Sequence, residues 1–129
     1  AKISSLDNRD FIYEEFRKII NNLPKKIDYR NDLLAVRNQG DQGTCYAQAA
    51  ACMKEWQEKK DYNLNEYLSP QFFYNNRDYV NDDNLLNDGD NGMTGRDVMK
   101  ILKNIGICYE NEYRYDNMNR NDNYRNIPE

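Results

Sequence analysis

At 129 residues and 15.4 kDa the chain has room for one domain with a real core, and too little for a two-lobed enzyme. Hydrophobic residues make up 39% and charged residues 31%, and 11 tyrosines supply much of the apolar surface, a globular composition despite a mean hydropathy of −1.10. A formal charge of −4 with no basic, aromatic-interleaved stripe argues against a nucleic-acid partner. No apolar run approaches the roughly 20 residues that span a bilayer, and AKISSLDNRDF lacks the core of a secretory signal.

Residues 1–22 read as an N-terminal extension or propeptide remnant. They carry a short amphipathic pattern, Phe11, Phe16, Ile19 and Ile20, with Asp7 or Asn8 as N-cap, which predicts a helix. Leu23-Pro24 interrupts it, because the residue before proline is pushed out of the helical region. KKIDYRNDLLAVRNQGDQG is extended and ends in a glycine-punctuated loop.

A central helix is predicted from Cys45 to about Lys59. Cys45, Ala49, Cys52 and Trp56 share one face, and Ala47, Ala49, Ala50 and Ala51 keep the helix slim enough to be buried between neighbours. In LSPQFFY, Ser69 is the N-cap of the next helix, Pro70 its first residue, and Phe72 and Phe73 its core contribution. VNDDNLLNDGDNGMTG is a polar loop. Thr94 then caps a third helix, with Asp97 completing a capping box, Val98, Leu102 and Ile105 as its stripe and Gly106 as its stop. ICYENEYRYD is irregular or a short strand, and the tail NMNRNDNYRNIPE is polar, as expected of a chain cut before its natural end.

The acidic loop invites a calcium reading, but neither register of an EF-hand fits: anchoring on Gly92 places Gly89 third and Val98 twelfth, and anchoring on Gly89 places Leu86 third and Gly95 twelfth. No metal or other cofactor is expected. Cys45, Cys52 and Cys108 match neither a disulfide scaffold nor a zinc knuckle and read as reduced thiols, which favours a reducing intracellular compartment or a virion. The asparagine bias hints at an AT-rich genome, viral or bacterial among others.

Cys52 and Cys108 read as small buried hydrophobes. Cys45 differs, because the first turn of a helix offers unpaired N–H groups and the positive end of the dipole, which favour the thiolate that attacks carbonyl carbon. Gln39, just upstream, offers an N–H₂ that could hold an oxyanion together with the backbone N–H of Cys45. NQGDQGTCYA resembles the nucleophile segment of the papain-like cysteine peptidases, the cathepsin family. LPKKIDYR resembles the entry to the mature enzyme, LSPQFFY the helix after the nucleophile helix, and GMTGRDVMKILKNIGICYENEYRYD the run from the substrate-binding loop into the tyrosine-rich stretch. Order and spacing hold from about Leu23 to Asp116.

That resemblance implies an α+β papain-like fold, with residues 23–129 forming mainly the helical left lobe and the β-rich right lobe largely outside the chain. It implies Cys45 as nucleophile, Gln39 as oxyanion donor, and Gly43, Thr44, Met93, Thr94 and Gly95 as substrate-binding positions. Gln42 and Met93 stand where many members carry a disulfide, which likens the chain to bacterial and viral members without that bridge. Tyr46 replaces the usual tryptophan, and Gly95-Arg96 replaces a Gly-Gly pair, placing Arg96 to influence specificity. The family's histidine base and orienting asparagine come from a downstream segment, whereas this chain has no histidine. The resemblance therefore implies a thiol endopeptidase whose essential partner is a C-terminal half or companion chain carrying those residues, acting on a peptide or protein substrate. Without the base, turnover falls by about 10⁴–10⁶, by analogy with serine triads. The competing readings are a non-catalytic papain-like pseudoenzyme or inhibitory half-domain, and a structural protein whose cysteine is merely packed.

Overall fold

The alanine-rich stretch forms helix α1 (Cys45–Tyr62), three residues longer than the sequence suggests. The structure, a computed structural model, describes residues 3, 4, 6–10, 23–80, 90 and 92–116. Helix α1 ends where Asn63 turns into the left-handed region at φ 57° and its N–H reaches the carbonyls of Glu58 and Lys59, a role suited to asparagine. Lys59 and Lys60 lie in the last turn, where positive charge complements the helix dipole.

The buried face of α1 is not the predicted one. Ala47, Ala50, Ala51 and Glu55 point inward, Ala49 is exposed, and Cys45, Cys52 and Trp56 are half-buried. Small side chains at 47, 50 and 51 let α1 pack closely on α2 (Pro70–Asn75) and α3 (Gly95–Asn104). Phe73, Tyr74, Met93, Val98 and Ile101 close the core against it. Trp56 lies at the edge, with the Tyr29 ring centroid at 4.9 Å and the Lys60 ammonium 4.7 Å above its ring.

Ser69 caps α2 by accepting the Phe72 N–H at 3.0 Å, and Pro70 occupies the first turn, as the sequence predicts. The helix is buried along its whole length, and its polar side chains pair with one another and with Tyr113: Gln71 Nε2 donates to Asn75 Oδ1, and Asn75 Nδ2 donates to the Tyr113 hydroxyl, each at 2.9 Å, while Gln71 Oε1 has no partner among the described residues. A 3-10 turn (Asn76–Tyr79) follows. In α3 the capping box between Thr94 and Asp97 is complete. Its inward stripe is Val98 and Ile101 with Leu102 partly buried, whereas Ile105, expected in the stripe, is 41% exposed. Ile105 falls outside because the helix has ended: its N–H and that of Gly106 both return to the Ile101 carbonyl, and Gly106 takes φ +95°.

The described residues contain no strand. One antiparallel bridge, Leu68 with Tyr109, joins the lead-in of α2 to the exit of α3, flanked by Ser69 N–H to Cys108 O and Glu110 N–H to Tyr67 O at 2.9 Å each. The α+β expectation is thus realised here only in its helical part. The predicted helix carrying Phe11, Phe16, Ile19 and Ile20, most of the acidic loop and the polar tail lie outside the described residues. Asp7 accepts the Arg9 N–H at 2.9 Å. No helix among the described residues is long and apolar enough to cross a membrane.

Candidate active site

The segment before α1 is held at three levels. Arg37 is tied to Glu55 on α1, with Nη2 to Oε1 at 2.8 Å, and donates from Nη1 to the Leu68 carbonyl at 2.8 Å. Gly40, at φ +62°, turns the chain, helped by Asn38 Oδ1 accepting its N–H at 2.9 Å. Gly43 then donates its N–H to both carboxylate oxygens of Asp90, at 2.8 and 2.9 Å. Asp90 also receives the Tyr74 hydroxyl, which in turn accepts the Gly92 N–H at 2.9 Å. Burial, with the Asp90 hydrogen bond second, pushes the Tyr74 phenol far above its ordinary range. This relay fixes the loop before Cys45 against the loop before α3, and it leaves no space for a larger residue at 43: an added Cβ would sit 2.8 Å from Asp90 Oδ1.

Cys45 is the first residue of α1 and is half-buried, so it is not sealed within the core. Thr44 occupies the N-cap position but makes no side-chain cap bond. The first helical amide with a backbone partner is that of Gln48, to Thr44 O at 2.9 Å, and the N–H groups ahead of it are the orphan donors of the helix terminus. Gln39 lies in the same loop and gives one amide hydrogen to the Gln42 carbonyl at 2.7 Å. A carboxamide has a second hydrogen to donate.

The predicted substrate-binding positions divide into two groups. Thr44 and Met93 are 0% and 1% exposed, so a ligand could meet only their backbone. Thr94 is half-buried and its hydroxyl is committed to Asp97 Oδ2 at 2.7 Å. Gly43 and Gly95 are half-buried, and a Cβ on Gly95 would meet the Tyr46 ring at 3.8 Å, which brings the α3 loop beside the residue after Cys45. Arg96 is engaged by the N-terminal segment, with Nη2 to Asp10 Oδ2 at 2.7 Å and Nη1 to Asp7 Oδ2 at 3.2 Å.

The other two cysteines, expected to be buried, are half-buried like Cys45. Burial, with Glu112 adding to it, raises Cys108 to about 11, and burial followed by the Glu55 charge raises Cys52. Sequence reasoning missed Asp90 and Tyr115, whose long-range bonds reach the loop before Cys45, and Tyr74, which holds Asp90; none has a local signature. Arg37 and Glu55 carry a weak one, a glutamate on the inward face of an alanine-rich helix, which demands a partner.

The described residues form a helical unit that presents a thiol at a helix mouth beside two glycine-bearing loops. The chain belongs to the papain family: the papain family cysteine protease model matches residues 23–127. It is accordingly a papain-like cysteine peptidase sequence, of the thiol protease class of hydrolases. No curated protein and no solved structure matches it significantly.

Proposed function

We propose that the chain contributes the nucleophile and the oxyanion hole of a thiol endopeptidase, and that a C-terminal half or companion chain contributes the histidine and asparagine. The thiolate of Cys45 attacks the peptide carbonyl carbon, and the resulting oxyanion takes hydrogen bonds from the second Gln39 amide hydrogen and the Cys45 backbone N–H. The C–N bond breaks as the partner's imidazolium protonates the leaving amine. Water then adds to the thioester, releasing the acid and regenerating the thiol. Gly43 and Gly95 flank the substrate closely, and Thr44, Met93 and Thr94 contribute through their backbone.

The single observation that carries this reading is the half-buried Cys45 at the uncapped first turn of α1, two residues after a glycine whose added Cβ would press on the Asp90 carboxylate. The need for a partner is supported by the outward face of α1, where Ala49 and Met53 are exposed beside Cys52 and Trp56, and by Val36, fully exposed on the preceding segment. The absence of histidine also favours a second reading, a pseudoenzyme or inhibitory half-domain on the same scaffold.

Titration with an epoxide or vinyl sulfone inhibitor separates the two. Stoichiometric modification at Cys45 when the histidine-bearing half is present supports the peptidase. Slow, equal modification of Cys45, Cys52 and Cys108 supports the pseudoenzyme.

A further inference from the structure

The hydroxyl of Tyr115 bridges the two residues that flank the thiol loop. It donates to the Gln39 carbonyl at 2.6 Å and lies 2.7 Å from Thr44 Oγ1. A phenol has one proton, and that proton is spent on Gln39, so the Thr44 hydroxyl is the donor in the second bond. Donation alone does not bar a hydroxyl from capping, since Ser69 Oγ donates to the Tyr113 carbonyl and Thr94 Oγ1 to Asp97 Oδ2 while each caps its helix; what differs at Thr44 is that its hydroxyl is held at Tyr115. Ser69 and Thr94 in this same chain accept the N–H three residues on and cap α2 and α3, whereas Thr44 caps nothing. Its backbone, at φ −91° and ψ 13°, lies away from the extended region that capping residues adopt. The exception falls on the one helix that carries Cys45.

We propose that Tyr115 is a positioning residue of the thiol site: it holds Thr44 off the cap of α1, leaving the first-turn N–H groups to act on the Cys45 sulfur, and it pins the backbone from which the Gln39 amide extends. Tyr115 is itself placed by its N–H bond to Glu110 Oε1 at 2.8 Å. The inference rests on Cys45 being the reactive thiol. A cap would satisfy the amides that favour negative charge at the helix mouth, and the field they supply is worth about a two- to five-fold change in thiol reactivity.

The test is iodoacetamide alkylation of the whole chain across pH, read thiol by thiol by mass spectrometry, with Cys52 and Cys108 as internal standards. Tyr115→Phe slows Cys45 by about two- to five-fold at neutral pH and moves its profile to higher pH, leaving the two standards unchanged. Adding Thr44→Val to Tyr115→Phe removes the hydroxyl that would cap and restores the rate. An unchanged Cys45 rate and profile in Tyr115→Phe overturns the proposal, and so does faster labelling of all three thiols together, which marks general loosening. A wild-type Cys45 no faster than the standards overturns the thiol-site reading itself, and the positioning role with it.

Discussion

Glu55 Oε1 receives the Arg37 guanidinium and the Leu68 backbone N–H, each at 2.8 Å, on the inward face of α1. Arg37 lies two residues before Gln39, so this carboxylate anchors to α1 the segment that carries Gln39 and, through Leu68, the start of α2. The Glu55 side chain is 4% exposed and that of Arg37 20%. Removing Glu55 leaves the Leu68 N–H without its acceptor and Arg37 with only the Leu68 carbonyl and Glu110 as polar partners among the described residues. Glu55→Ala should therefore cost about 3 kcal/mol, the low end for a broken buried pair because Arg37 keeps some solvent. The double change Arg37→Met with Glu55→Leu should cost clearly less. Denaturant midpoints of the single and double variants check the ordering.

The Gly43–Asp90–Tyr74 relay should respond to deletions at either end. Gly43→Ala puts a Cβ 2.8 Å from Asp90 Oδ1 and 3.2 Å from the Gly92 nitrogen, so the carboxylate must move and its bond to residue 43 is disturbed. Overpacking of this kind costs about 1–3 kcal/mol. Tyr74→Phe leaves the Gly92 N–H without its partner and should cost about 1–3 kcal/mol as well. Because both variants act through Asp90, their combined cost should fall short of the sum in urea unfolding.

Alkaline stability follows from the buried acids. Cys108, ordinarily 9.0, is raised to about 11 by burial, and Tyr74 and Tyr113 are raised chiefly by the same cause. In each the protonated form is favoured in the fold, so above the unfolded value the unfolded chain binds fewer protons than the native one. Stability should hold below pH 9 and decline as pH rises through 9 to 11. Unfolding midpoints at successive pH values should show this decline, with a shallower slope in Cys108→Ala; an unchanged slope in that variant contradicts the assignment to Cys108.

The helices were legible because each carries its own signals. Ser69-Pro70, Thr94 with Asp97, and Gly106 fixed two starts and a stop through bonds confined to a few neighbouring residues, all of them present in the structure. The inward face of α1 was misread because alanine appears on every side of that helix, so apolar spacing cannot choose between Ala49 and Ala50; buried Glu55 decides it, and only its distant partners Arg37 and Leu68 make that burial affordable. The candidate site was legible as far as Cys45, Gln39 and the glycines. Asp90 and Tyr115 reach the loop before Cys45 across sequence separations of 47 and 76 residues, and no local pattern encodes such bonds.

Trapping the covalent intermediate tests the central claim most directly. A peptide ester is added to the chain joined to, or mixed with, a segment bearing the proposed histidine and asparagine, the reaction is quenched in acid, and the modified residue is mapped by mass spectrometry. The predicted result is one acyl group, in thioester linkage on Cys45 and lost in Cys45→Ser. Turnover with no acyl group on Cys45, or an acyl group that persists in Cys45→Ser, contradicts it.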